Sequence, residues 1–254
     1  MADSVDAVVT RPRWGATDRR DLWWVDPLLT LIALSGFVIY ATFRALMNSN
    51  YEAGELLSPF YSPNLGRWTP LPQWLSPAML ILWAPGGFRL TCYYYRKAYY
   101  RSFTLHPPGC AVAEGKRGEY SGETTFPLLL QNLHRYLLYF AVIVLLFLWY
   151  DVWRALWPQG HFGITVGTLV LALNSTLLTG YTFSCHSLRH VVGGKLDCFS
   201  LNATCRVRYR AWSRLSWLNE NHMMWAWISL FGVMFADFYV WMVAAGRITN
   251  FRII

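Results

Sequence analysis

The side chains of this chain best suited to bonding a metal are its five cysteines and six histidines, because thiolates and imidazoles are common ligands of iron, copper and zinc. The cysteines are Cys92, Cys110, Cys185, Cys198 and Cys205, and the histidines are His106, His134, His161, His186, His190 and His222. None of the spacings that mark soluble zinc domains occurs among them. His186 and His190 stand four apart and would share one face of a helix. The remaining candidates are scattered along the chain, so only the elements that carry them can bring them together.

Those elements are membrane helices. Of the 254 residues, 55% are hydrophobic and 14% are charged, whereas soluble domains carry about 25% charged residues. Fourteen Trp and 15 Tyr suit a protein with two membrane interfaces to anchor. Apolar runs near the roughly 20 residues that cross a bilayer predict five transmembrane helices in an all-α, polytopic bundle. They cover about Pro27 to Leu46, Pro77 to Tyr95, Pro127 to Tyr150, Gly163 to His190 and Leu218 to Ala245. Pro85-Gly86-Gly87 predicts a kink in the second, and the fourth is long enough to tilt or emerge. Residues 1–26 read as an N-terminal arm and 27–254 as the five-helix membrane domain.

Basic residues set the orientation, since Lys and Arg accumulate on cytoplasmic loops. One side collects fourteen: Arg11, Arg13, Arg19 and Arg20 in the arm; Arg96, Lys97, Arg101, Lys116 and Arg117 in the second-to-third connection; Lys195, Arg206, Arg208, Arg210 and Arg214 in the fourth-to-fifth. The other collects five: Arg44, Arg67, Arg154, Arg247 and Arg252. The N-terminus is therefore expected inside, the C-terminus outside, and the protein in the inner (plasma) membrane. No cleavable signal is expected, because the first 26 residues hold four arginines and no apolar core. This segregation explains the net charge of +8 by topology and by contact with membrane lipid or an acidic partner, without nucleic acid.

With that orientation, all five cysteines and every histidine except His161 fall at the cytoplasmic end. His134 lies about seven residues into its span, roughly 10 Å at 1.5 Å per residue, and His222, Cys185, His186 and Cys92 fall within a turn or two of that level. Polar groups at such depth are costly and mark function. Two stacked haems would need paired histidines at two depths, which the outer half lacks. One haem b could use His134 with His186, His190 or His222, leaving Cys92, Cys110 and Cys185 without a role. A Rieske-type [2Fe-2S] cluster takes two Cys and two His and would use both residue types, although its familiar soluble loops are absent. The ligand pool is thus Cys92, Cys110, Cys185, His134, His186, His190 and His222. Cys92, Cys185, His134 and His222 would come from four helices at matched depth. Cys185 and His186, adjacent on a helix, project about 100° apart.

Three stretches, Thr91-Cys92-Tyr93-Tyr94-Tyr95-Arg96-Lys97-Ala98-Tyr99-Tyr100-Arg101, Gln131-Asn132-Leu133-His134-Arg135-Tyr136 and Ser184-Cys185-His186-Ser187-Leu188-Arg189-His190, resemble the membrane-anchor, cytochrome b-like subunit of an actinobacterial succinate dehydrogenase. The resemblance covers most of the chain from about Trp23 onward, while the long inner loops and the cysteines depart from the diheme anchors of the wider family. It implies a flavoprotein and an iron-sulfur subunit on the cytoplasmic face, menaquinone as acceptor, and a complex that can form a higher oligomer. Arg96, Lys97, Arg101, Arg206, Arg208 and Arg210 are candidates for the docking surface. A quinone needs an apolar slot with one or two donors, and Arg135, Tyr136, Arg189 and Trp225 lie near the proposed layer. Asp237, in the outer half of the fifth span, is a candidate for proton transfer or a second quinone.

Two other classes compete. A transporter needs a midplane polar site and often an internal repeat, and neither is evident. A membrane di-iron lipid oxygenase or desaturase could use His186 and His190 but needs more histidines than the inner side offers. With no dinucleotide-binding fingerprint, the chain is expected to hold no catalytic residues of its own and to act only within an enzyme complex.

Overall fold

A computed structural model of the chain describes residues 13–67, 72, 75–115 and 122–254; Arg11, Lys116 and Arg117 of the basic segments lie outside them. The described residues form α1 (Val25–Met47), a small antiparallel hairpin β1 (Glu52–Ala53) and β2 (Leu56–Leu57), then α2 (Pro77–Leu90) and α3 (Tyr93–Tyr99). They continue with α4 (His134–Ala155), α5 (Val166–Phe183), α6 (His186–Gly193), α7 (Ala203–Glu220) and α8 (His222–Ala244). Helices dominate because hydrocarbon offers the backbone no water to bond. Among the described residues, four helical runs are long and apolar enough to cross a membrane: Val25–Met47, Leu128–Ala155, Val166–Phe183 and His222–Ala244. The 14-residue α2 stands where the remaining expected span was placed.

Three of the five expected spans are broken near the basic end of the bundle. In the second, α2 carries Pro85 within it and runs on to Leu90, and the chain breaks at Thr91-Cys92. Thr91 bonds back to the Gly87 carbonyl, and Cys92 is extended at φ −67°, ψ 129°. Likewise the fourth span divides at Ser184-Cys185 into α5 and α6, with Cys185 extended at φ −64°, ψ 134°. The fifth begins after a break at Asn221, and its preceding residues belong to α7, which carries Arg206, Arg208, Arg210 and Arg214. Asn219 Nδ2 donates to the Ser184 carbonyl at 2.7 Å, tying the second break to the third.

The core of the bundle is α5 packed between α4 and α8. Gly180 makes that packing close: a Cβ there would sit 2.3 Å from the Trp225 ring. Toward the opposite end, α1 and α8 are joined by an ion pair with no exposure on either side chain, Arg44 Nε to Asp237 Oδ2 at 2.8 Å. At the basic end the arm folds onto the Cys110 loop, Gly15 bonding the Ala113 carbonyl and Arg19 the Cys110 carbonyl, each at 2.9 Å.

Candidate metal centre

The breaks at Thr91-Cys92 and Ser184-Cys185 have the same chemistry. In each, a hydroxyl residue closes a membrane helix and the following Cys, freed from helical geometry, begins a short helix. The two breaks lie on either side of two histidines that themselves begin helices, His134 on α4 and His222 on α8. Cys92 and Cys185 belong to one buried cluster with Phe88, Tyr95, Leu138, Ala141, Tyr181 and Ala226.

Contacts run crosswise between the breaks. His134 Nδ1 lies 3.0 Å from Thr91 Oγ1 and its Nε2 lies 3.1 Å from Cys185 Sγ. His222 Nδ1 lies 2.7 Å from Ser184 Oγ and its Nε2 lies 3.3 Å from Cys92 Sγ. Each imidazole thus spans from the hydroxyl of one break to the thiol of the other. The hydrogen-bond network assigns both tautomers. Thr91 Oγ1 donates its single hydrogen to the Gly87 carbonyl at 2.8 Å, and Ser184 Oγ donates its own to the Tyr181 carbonyl at 2.9 Å. Both hydroxyls can then only accept from the imidazoles. Nδ1 carries the proton in both rings, and both Nε2 lone pairs face a cysteine sulfur.

Aromatic walls enclose the set. Phe88 stacks on His134 with centroids 4.5 Å apart and planes 2° from parallel, and Tyr181 stacks on His222 at 5.3 Å and 18°. Arg89 covers the Tyr181 ring at 4.4 Å and donates to Tyr95 Oη at 2.7 Å and Ser229 Oγ at 2.9 Å. Cys92, His134 and Cys185 are buried and His222 is half-buried.

Four of the seven ligand candidates are therefore brought together: Cys92, Cys185, His134 and His222. The other three are not. His186 and His190 point outward on α6 with their rings 6.3 Å apart. Cys110 is exposed beside Arg19 and Arg101. The placement of His186 and His190 follows from the break at Cys185, which redirects α6 and leaves both histidines on its exposed face. Among the described residues no three His, Cys, Asp or Glu side chains surround one ion position; the four donors stand instead as two His–Cys pairs in direct contact.

The residues expected around a quinone are dispersed. Arg135 and Tyr136 are exposed, Arg189 bonds Ser216 and stacks on Trp212, and Trp225 fills the gap left by Gly180. Asp237 is closed off by Arg44, Tyr40 and Ser58. A mostly apolar cavity of about 130 Å³ does lie against the centre, with Phe88, Arg89, Tyr181 and Thr182 at the end nearest it and Leu148, Phe60 and Val233 beyond. Sequence reasoning passed over Thr91, Ser184, Tyr181 and Arg89. The repeated hydroxyl-Cys dipeptide was a usable signal for the first two, and a charge inside a span for the last.

The model of the actinobacterial succinate dehydrogenase subunit SdhC matches residues 25–246. A solved structure described as the Mycobacterium smegmatis Sdh1 complex in the apo form contains a chain 46% identical to this one, with a TM-score of 0.85 and 94% of each chain covered. No curated protein matches the chain.

Proposed function

This chain belongs to the family of actinobacterial succinate dehydrogenase SdhC subunits, and on that premise we propose that it anchors the complex and passes electrons to menaquinone through a Rieske-type [2Fe-2S] cluster held by Cys92, Cys185, His134 and His222. The crossed pairing of two thiols with two imidazoles, both in the tautomer that leaves Nε2 free, is the observation that carries this reading. Two Cys and two His are the donor set of such a cluster, which when bound supplies one-electron transfer at a potential raised by its histidines to roughly −150 to +300 mV. The present contacts of 3.1 and 3.3 Å bring sulfur and nitrogen together directly, so ligation requires the two thiols to lose their protons and the pairs to part.

The protein's own groups prepare that layer. Thr91 and Ser184 hold the two rings by Nδ1, the outer-shell bond that fixes a ligating imidazole. Phe88 and Tyr181 cover the ring faces and keep water out. A single haem b is the second reading, and it fits less well. With both Nε2 atoms against sulfur and both ring faces stacked on aromatic side chains, a macrocycle would have to displace the walls of the site.

The apolar cavity beside the centre supports a quinone position, with Arg89 and Thr182 as its polar lining. The basic end is the cytoplasmic one in this reading. There Lys97 and Arg101 line a groove of about 740 Å³ with the N-terminal arm, and Arg206 and Arg210 extend the positive surface along α7. The iron-sulfur subunit would dock on that face and carry the flavoprotein.

Iron and acid-labile sulfide analysis of the purified complex, with EPR, tests the proposal. Cys92→Ser and Cys185→Ser are each expected to remove a rhombic signal of low average g and quinone reduction, while dye-linked succinate oxidation by the partner subunits persists. Full iron and sulfide in both variants, or a bis-histidine haem spectrum surviving both, would overturn it.

A further inference from the structure

Tyr181 carries the only buried side-chain hydroxyl without a hydrogen-bond partner among the described residues. Its neighbours are satisfied: Tyr95 Oη donates to the Ala226 carbonyl at 2.7 Å, and Tyr94 Oη accepts from Trp227 Nε1 at 2.7 Å. The hydroxyl cannot swing away to find a partner, because its ring is clamped on several sides. His222 stacks on it, Phe88 and Tyr95 meet it edge-on at 5.6 and 6.1 Å, and Arg89 covers a face at 4.4 Å. It packs in the same buried cluster as both cysteines of the centre, Cys92 and Cys185.

A rigid, buried O–H without an acceptor beside two sulfurs is suited to an acceptor that becomes available when those sulfurs are deprotonated. Resting on the cluster reading above, we infer that Tyr181 donates its hydroxyl to a cysteine sulfur of the assembled centre and thereby raises its reduction potential. Reduction adds negative charge to the sulfurs, so a donor there favours the reduced form. Because the ring itself packs against His222, the hydroxyl tunes the centre while the ring positions a ligand, and Tyr181→Phe separates the two.

The test is an EPR-monitored redox titration of the purified complex. Tyr181→Phe is expected to keep the iron and sulfide content of the unsubstituted complex. The ratio of reduced to oxidised centre at a fixed ambient potential should fall about tenfold, equivalent to a 59 mV lower midpoint for one electron. An unchanged midpoint at full cluster content overturns the inference, and so does loss of iron from a complex that still assembles, which would make the hydroxyl a structural group. Should the variant fail to assemble, the same bond is read in the unsubstituted complex as an exchangeable proton coupled to the centre; absence of that coupling refutes it. A complex in which the unsubstituted chain binds no iron overturns the underlying reading instead, an outcome distinguishable by metal analysis alone.

Discussion

Replacing Asp237 by Leu should destabilise the bundle more than any surface substitution, because it strands a buried cation. Arg44 and Asp237 have no exposed side-chain surface. The carboxylate takes Arg44 Nε at 2.8 Å and Nη2 at 3.2 Å, Tyr40 Oη at 2.6 Å and the Ser58 hydroxyl. Without it the guanidinium keeps two backbone carbonyls, of Ser49 and Asn50, and the faces of Tyr51 and Trp241 at 4.4 and 4.9 Å. Breaking a buried pair from one side costs about 3–5 kcal/mol. At about 2–4 °C per kcal/mol for a chain of this size, the unfolding midpoint should fall by about 6–20 °C. Arg44→Met combined with Asp237→Leu should recover most of that loss, since a matched apolar replacement leaves no charge behind. Fluorescence-monitored thermal unfolding of the purified complex measures all three. A shift for Asp237→Leu no larger than the 0–1 kcal/mol of an exposed pair would refute the argument. So would an Asp237→Asn complex of unchanged stability that has lost quinone reduction, which would return Asp237 to proton transfer.

Ser184→Ala and Thr91→Val remove the acceptors that hold Nδ1 of His222 and His134, and each should weaken iron retention under chelator challenge by about 10- to 100-fold; equal retention in both would show that the tautomers are not set there. Gly180→Ala places a methyl 2.3 Å from Trp225, forcing α5 from α8 at a cost of about 1–3 kcal/mol, and should lower iron content along with thermal stability; a variant identical to the unsubstituted protein in both would contradict the packing. In alkylation followed by mass spectrometry, Cys198 should react early, because the Ser200 backbone N–H and hydroxyl hold its exposed thiol below the usual range, and Cys92 and Cys185 should react last. With an impermeant reagent on intact cells, neither Cys110 nor Cys198 should react until the membrane is opened; labelling of either beforehand would reverse the orientation.

Composition and periodicity determined the class of this protein, because a chain so poor in charge must exchange water for lipid, lipid admits only helices or closed barrels, and apolar runs of about 20 residues fit the helix. The placement of apolar runs followed directly. Depth along those runs is a one-dimensional quantity, which is why Cys92, Cys185, His134 and His222 could be assigned to one layer by counting residues. The wording around Cys92, His134 and Cys185 carried the family.

Facing direction and helix breaks needed the tertiary structure. His186 follows Cys185 directly and His190 comes one turn later, yet the extended backbone at Cys185 turns their helix outward, a consequence of the Asn219 clamp and the Ser184 hydroxyl that hydropathy does not register. Asp237 read as a free buried acid because its counter-ion, Arg44, lies 193 residues away. What joins two His–Cys pairs in crosswise contact is the packing of α5 between α4 and α8, which turns residues distant in sequence toward one another. Sequence sets each residue's type and its depth, but the rotation of each helix about its axis, and so the partner each side chain meets, is decided by how the helices pack.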